Sequence, residues 1–259
     1  MPWRGGQLVP REAGGWVPQA PSPLEHKQGE PPPLALDASG LRRIRAAFAA
    51  ATRRAAHLGL DGIELHCAHG YLLHEFLSPI ANRRTDEYGG SLENRMRFPL
   101  EVFDAVRAAF PADKPVGVKV SATDWVDGGW DLEQTIAFAR ALRSRGVDWV
   151  DVSSGGISPL QKIALGPGYQ VPFAEAIKRA TGVNTMAVGL ITGARQAEEI
   201  VAGGKADLVA LARAMLYDPR WAWHAAAELG ATVDAAPAYW RAPPQGQNRL
   251  FRNASFGAR

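Results

Sequence analysis

Residues 116–154 read VGVKVSATDWVDGGWDLEQTIAFARALRSRGVDWVDVSS, and this stretch decides the fold. Its two ends, VGVKVSA and WVDVSS, are short apolar runs rich in valine, a pattern that suits strands buried on both faces. Between them, DLEQTIAFARALRSRG reads as a helical segment of more than ten residues. A strand, a helix of this length and a second strand make a βαβ unit, whose strands run parallel.

The alternation extends in both directions. Upstream, GIELH precedes SLENRMRFPLEVFDAVRAAF; downstream come VPFAEAIKRATG, NTMAVGL, GARQAEEIVAGG, LVALAR and DPRWAWHAAAELG, in helix and strand order. Five βα units are therefore expected within residues 38–229, opened by the helix LRRIRAAFAAATRRAAHLG with Gly59 as its stop signal. A closed barrel needs eight units, and the other three would take roughly 100 more residues. The expected fold is α/β, an incomplete (β/α)8 barrel of TIM type, with an open α/β sheet as the alternative. Either way the strand GIELH lacks an earlier parallel partner and forms an exposed sheet edge.

Residues 1–37 hold eight prolines and no apolar period, so an irregular N-terminal segment without strands is expected there, and residues 230–259 read as a C-terminal arm. All 259 residues fit one domain, because a chain of this length holds one sizeable core. The formal charge of +3 is small and the arginines are interspersed with acids, so no nucleic acid partner is expected. The longest uncharged apolar stretch, residues 183–194, is about half a membrane span, so no membrane partner is expected either. A single cysteine, Cys67, and no charged-then-apolar leader favour the cytoplasm.

Barrel enzymes place their working groups where strands end and βα loops begin. The richest such place is IELHCAHGYLLHEFLSP, residues 63–79. There His66 and His69 can jointly donate hydrogen bonds to a carbonyl or nitro oxygen, while the Tyr71 hydroxyl can give a proton to an adjacent carbon. Two other readings compete. His66, Cys67, His69 and His74 could hold a metal for a hydrolase, although their spacing fits no common zinc pattern. The histidines could also merely satisfy buried hydrogen bonds.

The run HCAHGYLLHEFLSPIANRRTDEYGGSLENRMRF, residues 66–98, resembles the signature of the Old Yellow Enzyme family, in its xenobiotic reductase branch. The similarity continues through KVSATDWVDGGW, DVSSGGISP, PGYQVPFA, AVGLIT and DLVALARAMLYDP, and covers most of residues 35–241. It implies a (β/α)8 barrel of which about the last five units are present, with FMN as cofactor and NAD(P)H as reductant. The activity implied is reduction of activated C=C bonds in small enones or nitro compounds, with hydride passing from the flavin to the alkene. In that scheme His66 and His69 hold the substrate oxygen and Tyr71 is the proton donor. The text at Pro2 and Trp3 resembles a loop that follows the family's third strand, so the chain is expected to begin inside the family's sequence. The alternative function is a truncated, non-catalytic remnant or split-barrel partner.

The resemblance also assigns binding residues. Lys119 stands where the family usually has an arginine beside the flavin N1 and C2 carbonyl, and an ammonium keeps the charge that stabilises the reduced ring. On its own it would read as a snorkelling surface lysine. Gly189, Leu190, Ala212 and Arg213 follow the last two strands, where barrel loops bind a phosphate. The family has glycine where Ala212 stands, and the methyl is expected to crowd the phosphate or force another backbone angle. Ser153 and Gly155 are matched to flavin contacts, or are turn residues. Arg241, in AYWRAP, matches an arginine of a C-terminal arm that reaches a neighbouring subunit's active site, which implies a homo-oligomer; a solvated tail arginine is the other reading.

Overall fold

A computed structural model describes residues 8–255. The loop resemblance at Pro2 and Trp3 lies outside the described residues. After a 3-10 turn at Arg11–Ala13 come the two-residue strands β1 (Gln19–Ala20) and β2 (Leu34–Ala35), then helix α1 (Ala38–His57). Next come β3 (Ile63–Cys67), α2 (Leu72–Leu77), α3 (Leu92–Ala109), β4 (Val116–Ser121), α4 (Leu132–Arg143), β5 (Trp149–Ser153) and α5 (Val171–Thr181). The last are β6 (Asn184–Val188), α6 (Ala194–Ala202), β7 (Leu208–Ala210), α7 (Arg213–Tyr217) and α8 (Trp221–Leu229).

Local chemistry sets the helix starts. Asp37, Ser91 and Asp131 cap α1, α3 and α4, their side-chain oxygens accepting the N–H of Gly40 (2.6 Å), Asn94 (3.2 Å) and Gln134 (2.9 Å). Strands β3 to β7 form one parallel sheet in chain order, with β3 and β7 as its open edges. Each is followed by helix, so all five expected βα units are present, and the fold is an incomplete (β/α)8 barrel. Among the described residues no helix is long and apolar enough to cross a membrane.

The register divides the sheet into two faces. Leu65, Val118, Val150 and Thr185 align in one row and Cys67, Val120, Val152, Ala187 and Val209 in the next. These rows face the helices and pack on Phe98, Phe103, Phe138 and Ile177, all fully buried. Each such side chain contributes about 1.5–3 kcal/mol by leaving water. The alternate residues point the other way, and there His66, Lys119, Asp151, Met186 and Leu208 form a single row across all five strands.

The expectation of no strand in residues 1–37 is corrected, because β1 and β2 pair in parallel, Gln19 opposite Leu34 and Ala20 opposite Ala35. The pair is tied down from outside. Arg84 Nη1 donates to the carbonyls of Pro21 (3.0 Å) and Leu36 (2.6 Å), and Arg83 N–H donates to Ser22 Oγ (2.8 Å). At the other end the arm folds back on α8: Leu250 and Phe251 pack with Trp223 and Ala226, and Val233 bridges to Phe251.

Candidate active site

The loop after β3 turns on His69, whose φ of 58° is left-handed. For a residue other than glycine this conformation costs about 1–2 kcal/mol. Its surroundings hold it there. His69 N–H donates to Ser121 Oγ at 3.0 Å, and its Nε2 lies 2.6 Å from Ser153 Oγ. The loop after β5 closes in from the other side: a Cβ on Gly70 would stand 2.3 Å from the Gly156 carbonyl oxygen, and one on Gly156 would stand 2.5 Å from His69 Cα. Glycine at both positions is what lets the two loops meet.

His66 reaches the same mouth from β3. Its Nδ1 accepts the Ala68 N–H at 3.1 Å, so the ring proton sits on Nε2, which has no hydrogen-bond partner among the described residues. The His66 and His69 rings stand edge to face with centroids 5.3 Å apart, and the exposed Tyr71 ring meets His66 at 5.1 Å. The three expected catalytic residues are thus brought together. Burial, and then the Lys119 cation, hold His66 below the usual histidine range. Burial, and then the neighbouring His66 and Lys119, push His69 down to about 4. Both shifts favour the neutral imidazole, a form that can donate one hydrogen bond from one ring nitrogen.

Lys119 lies beside His66 in the register and ion-pairs with Asp151 on β5. Burial raises the Asp151 carboxyl against the pull of Lys119, and its Oδ1 is buried without a partner among the described residues. Ser153 contacts His69, and at 3.4 Å also Gln170 Oε1, which accepts a closer hydrogen bond from Ser154 Oγ at 2.5 Å. Gln170 Nε2 donates in turn to the Val188 carbonyl at 2.8 Å. Gln170 is buried and was not foreseen; its only sequence signal is a polar residue at the start of the apolar helix α5. Gly155 has both backbone groups engaged, its N–H with the Thr123 carbonyl and its carbonyl with Ser121 Oγ, each at 2.8 Å.

Gly189 (φ 114°) and Leu190 (φ 50°) turn the chain after β6, and a Cβ on Gly189 would meet Gln170 Nε2 at 2.5 Å. Ala212 precedes α7 with φ −103°, on the side of φ open to any residue, so its backbone makes no demand for glycine. The N–H groups of Gly189, Leu190 and Ala212 donate to no other described residue, and the exposed Arg213 forms no ion pair among them. These four positions lie three and four strands from His66. Arg241 is exposed on the arm that packs against α8 of its own chain.

The metal reading loses its ligands. Among the described residues no three His, Cys, Asp or Glu side chains are placed to hold an ion. Cys67 belongs to the helix-facing rows, where burial raises its thiol pKa. His74 is buried in α2 with Nδ1 accepting the Gly70 N–H at 2.9 Å and Nε2 lying 3.0 Å from Asp124 Oδ1. Asp124 is fixed by Ser78 Oγ (2.6 Å) and the Trp130 N–H (2.7 Å).

Known proteins resemble this chain in sequence and in fold. The NADPH dehydrogenase of Geobacillus sp. (strain WCH70) is 47% identical over 222 residues, which is 86% of this chain and 64% of the relative. That of Listeria innocua serovar 6a is 44% identical over 223 residues, 86% and 65% of the two chains. The chain therefore spans a little under two thirds of the length of the curated relatives it matches. Among solved structures, morphinone reductase superposes with a TM-score of 0.66 at 28% identity, over 94% of this chain and 65% of that one. A 2-naphthoyl-CoA reductase complex superposes with a TM-score of 0.74 at 27% identity, over 79% and 32%. The sequence model of the NADH:flavin oxidoreductase / NADH oxidase family matches residues 9–231, and the chain belongs to that family.

Proposed function

We propose that this chain is the substrate-polarising part of an FMN-dependent NAD(P)H oxidoreductase that reduces activated C=C bonds of α,β-unsaturated carbonyl or nitro compounds. The observation that carries this reading is the gathering of His66, His69 and Tyr71 at one strand end, with Lys119 next to them in the register. The relatives named NADPH dehydrogenase support NADPH as reductant.

The donor set suits FMN, which is rich in acceptors along one ring edge and ends in a phosphate. Lys119 would hold the ring edge; the N–H groups of Gly189, Leu190 and Ala212, which have no partner among the described residues, would hold the phosphate with Arg213. Ser153 and Gly155 act one step back, fixing His69 and the two loop mouths. When bound, FMN supplies the hydride chemistry.

The rest falls to the chain's own residues. His66 Nε2–H donates to the substrate oxygen. Ser153 Oγ is much nearer His69 Nε2 (2.6 Å) than Gln170 Oε1 (3.4 Å), so its hydrogen goes to the imidazole and leaves His69 Nδ1–H for the same oxygen. Each such donor contributes about 3 kcal/mol where negative charge develops. The Tyr71 hydroxyl delivers the proton to carbon.

The open edges of β3 and β7 favour a second reading, a partial barrel that works only after pairing with further strands. Purification separates the two. The first expects a yellow protein whose flavin absorbance is bleached by NADPH and restored by cyclohex-2-enone. A chain that stays colourless after addition of FMN overturns it and leaves the second.

A further inference from the structure

We infer that the cleft above Tyr71 is a subsite for a neutral, planar aryl group, so that aryl-substituted enones are preferred over small aliphatic ones; this rests on the reading of Tyr71 as the proton donor. The cleft has a volume of about 500 Å³, and Leu8, Val9, Trp16 and Pro18 form its apolar wall while Tyr71 borders it. That volume falls among those of small-molecule sites, and a six-membered enone would leave most of it empty.

Two aromatic rings face this space with little protein cover. Trp16 is 79% exposed and Tyr71 64% exposed. Large rings left in water at the edge of one cleft mark a binding surface, and a flat ligand that stacks on them removes that exposure. The wall is anchored, because Trp16 lies three residues before Gln19 in the β1–β2 pair that Arg84 clamps to the core. The charged residues lining the cleft include one cation and one anion, Lys27 and Glu30, which offset each other and select no ion. A neutral ligand matches that balance.

The test is equilibrium binding to the whole chain, read by ligand-observed NMR, of 4-fluorobenzylideneacetone and cyclohex-2-enone. Wild type is expected to bind the aryl enone about tenfold more tightly, and Trp16→Ala to bring the two within about twofold, the loss of one stacking contact. Trp16→Phe should keep most of the preference. Because Trp16 is exposed, its replacement leaves the fold intact, which an unchanged melting temperature checks. Equal affinities in wild type, or an aryl preference that survives Trp16→Ala, would overturn the subsite. Binding is read without turnover, so the two claims fail separately. A chain with the expected preference that reduces neither enone keeps the subsite and loses the proposed reaction.

Discussion

His69 Nε2 and Ser153 Oγ lie 2.6 Å apart, joining the mouth of β3 to that of β5. The contact does more than hold a loop. A neutral imidazole has one proton, and whichever nitrogen accepts from Ser153 leaves the other to donate.

Ser153→Ala should therefore change the tautomer of His69. We expect the wild-type ring to carry its proton on Nδ1 and the variant to populate both forms, read directly from side-chain ¹⁵N shifts. Catalytic efficiency should fall about tenfold, the worth of one hydrogen bond to a reacting group. A wild-type ring already protonated on Nε2 would sink the assignment.

Asp151 and Lys119 form a pair in which each partner makes the other tolerable. Asp151→Asn strands the ammonium in a partly closed site and should lower unfolding stability by about 2 kcal/mol, less than a fully buried pair because Lys119 keeps some exposure. Asp151→Asn combined with Lys119→Met should recover most of that loss in urea unfolding. Additive losses would mean that the two do not interact.

Much of this was legible in the sequence, and the limits have physical reasons. The five βα units were readable because most of their strands and helices are long enough to show a period. The strands β1 and β2 and the five-residue α7 are too short for any period. His66, His69 and Tyr71 lie within six residues, so their meeting followed from one strand end. Asp151, Gln170 and Arg84 matter through partners 32, 17 and 63 residues away, and no local pattern announces such contacts. Ser153 is another such case, its hydroxyl lying 2.6 Å from His69 Nε2 across 84 residues of sequence.

Glu75 gives the fold a pH dependence. Its carboxyl lines a cavity beneath the N-terminal segment, and burial pushes its pKa from 4.5 up to about 7. Between these values the folded state holds a proton that the unfolded chain has released, so its contribution to stability falls as pH rises through this window and stays low above it. Glu75→Gln cannot titrate and should be more stable than wild type by about 2 kcal/mol at about pH 8, with a smaller difference at about pH 5. Urea midpoints at the two pH values check this; an equal gap at both would exclude Glu75 as the source.

In the proposed roles the two imidazoles and the tyrosine make different demands on the reaction, and kinetics of an active, flavin-containing preparation can tell them apart. His66→Ala and His69→Ala each remove a neutral donor from the substrate oxygen, so each should lower kcat/KM with cyclohex-2-enone by a factor of about 100 or more, roughly 3 kcal/mol. Because both donors serve one oxygen, the double variant should lose less than the product of the single losses. Tyr71→Phe leaves polarisation intact and removes only the proton source, so it should slow oxidation of reduced flavin by the enone while leaving flavin reduction by NADPH unchanged. Stopped-flow measurement of the two half-reactions separates these outcomes. If Tyr71→Phe slowed both halves equally, the ring would be shaping the site through its packing on His66, and the proton would come from elsewhere.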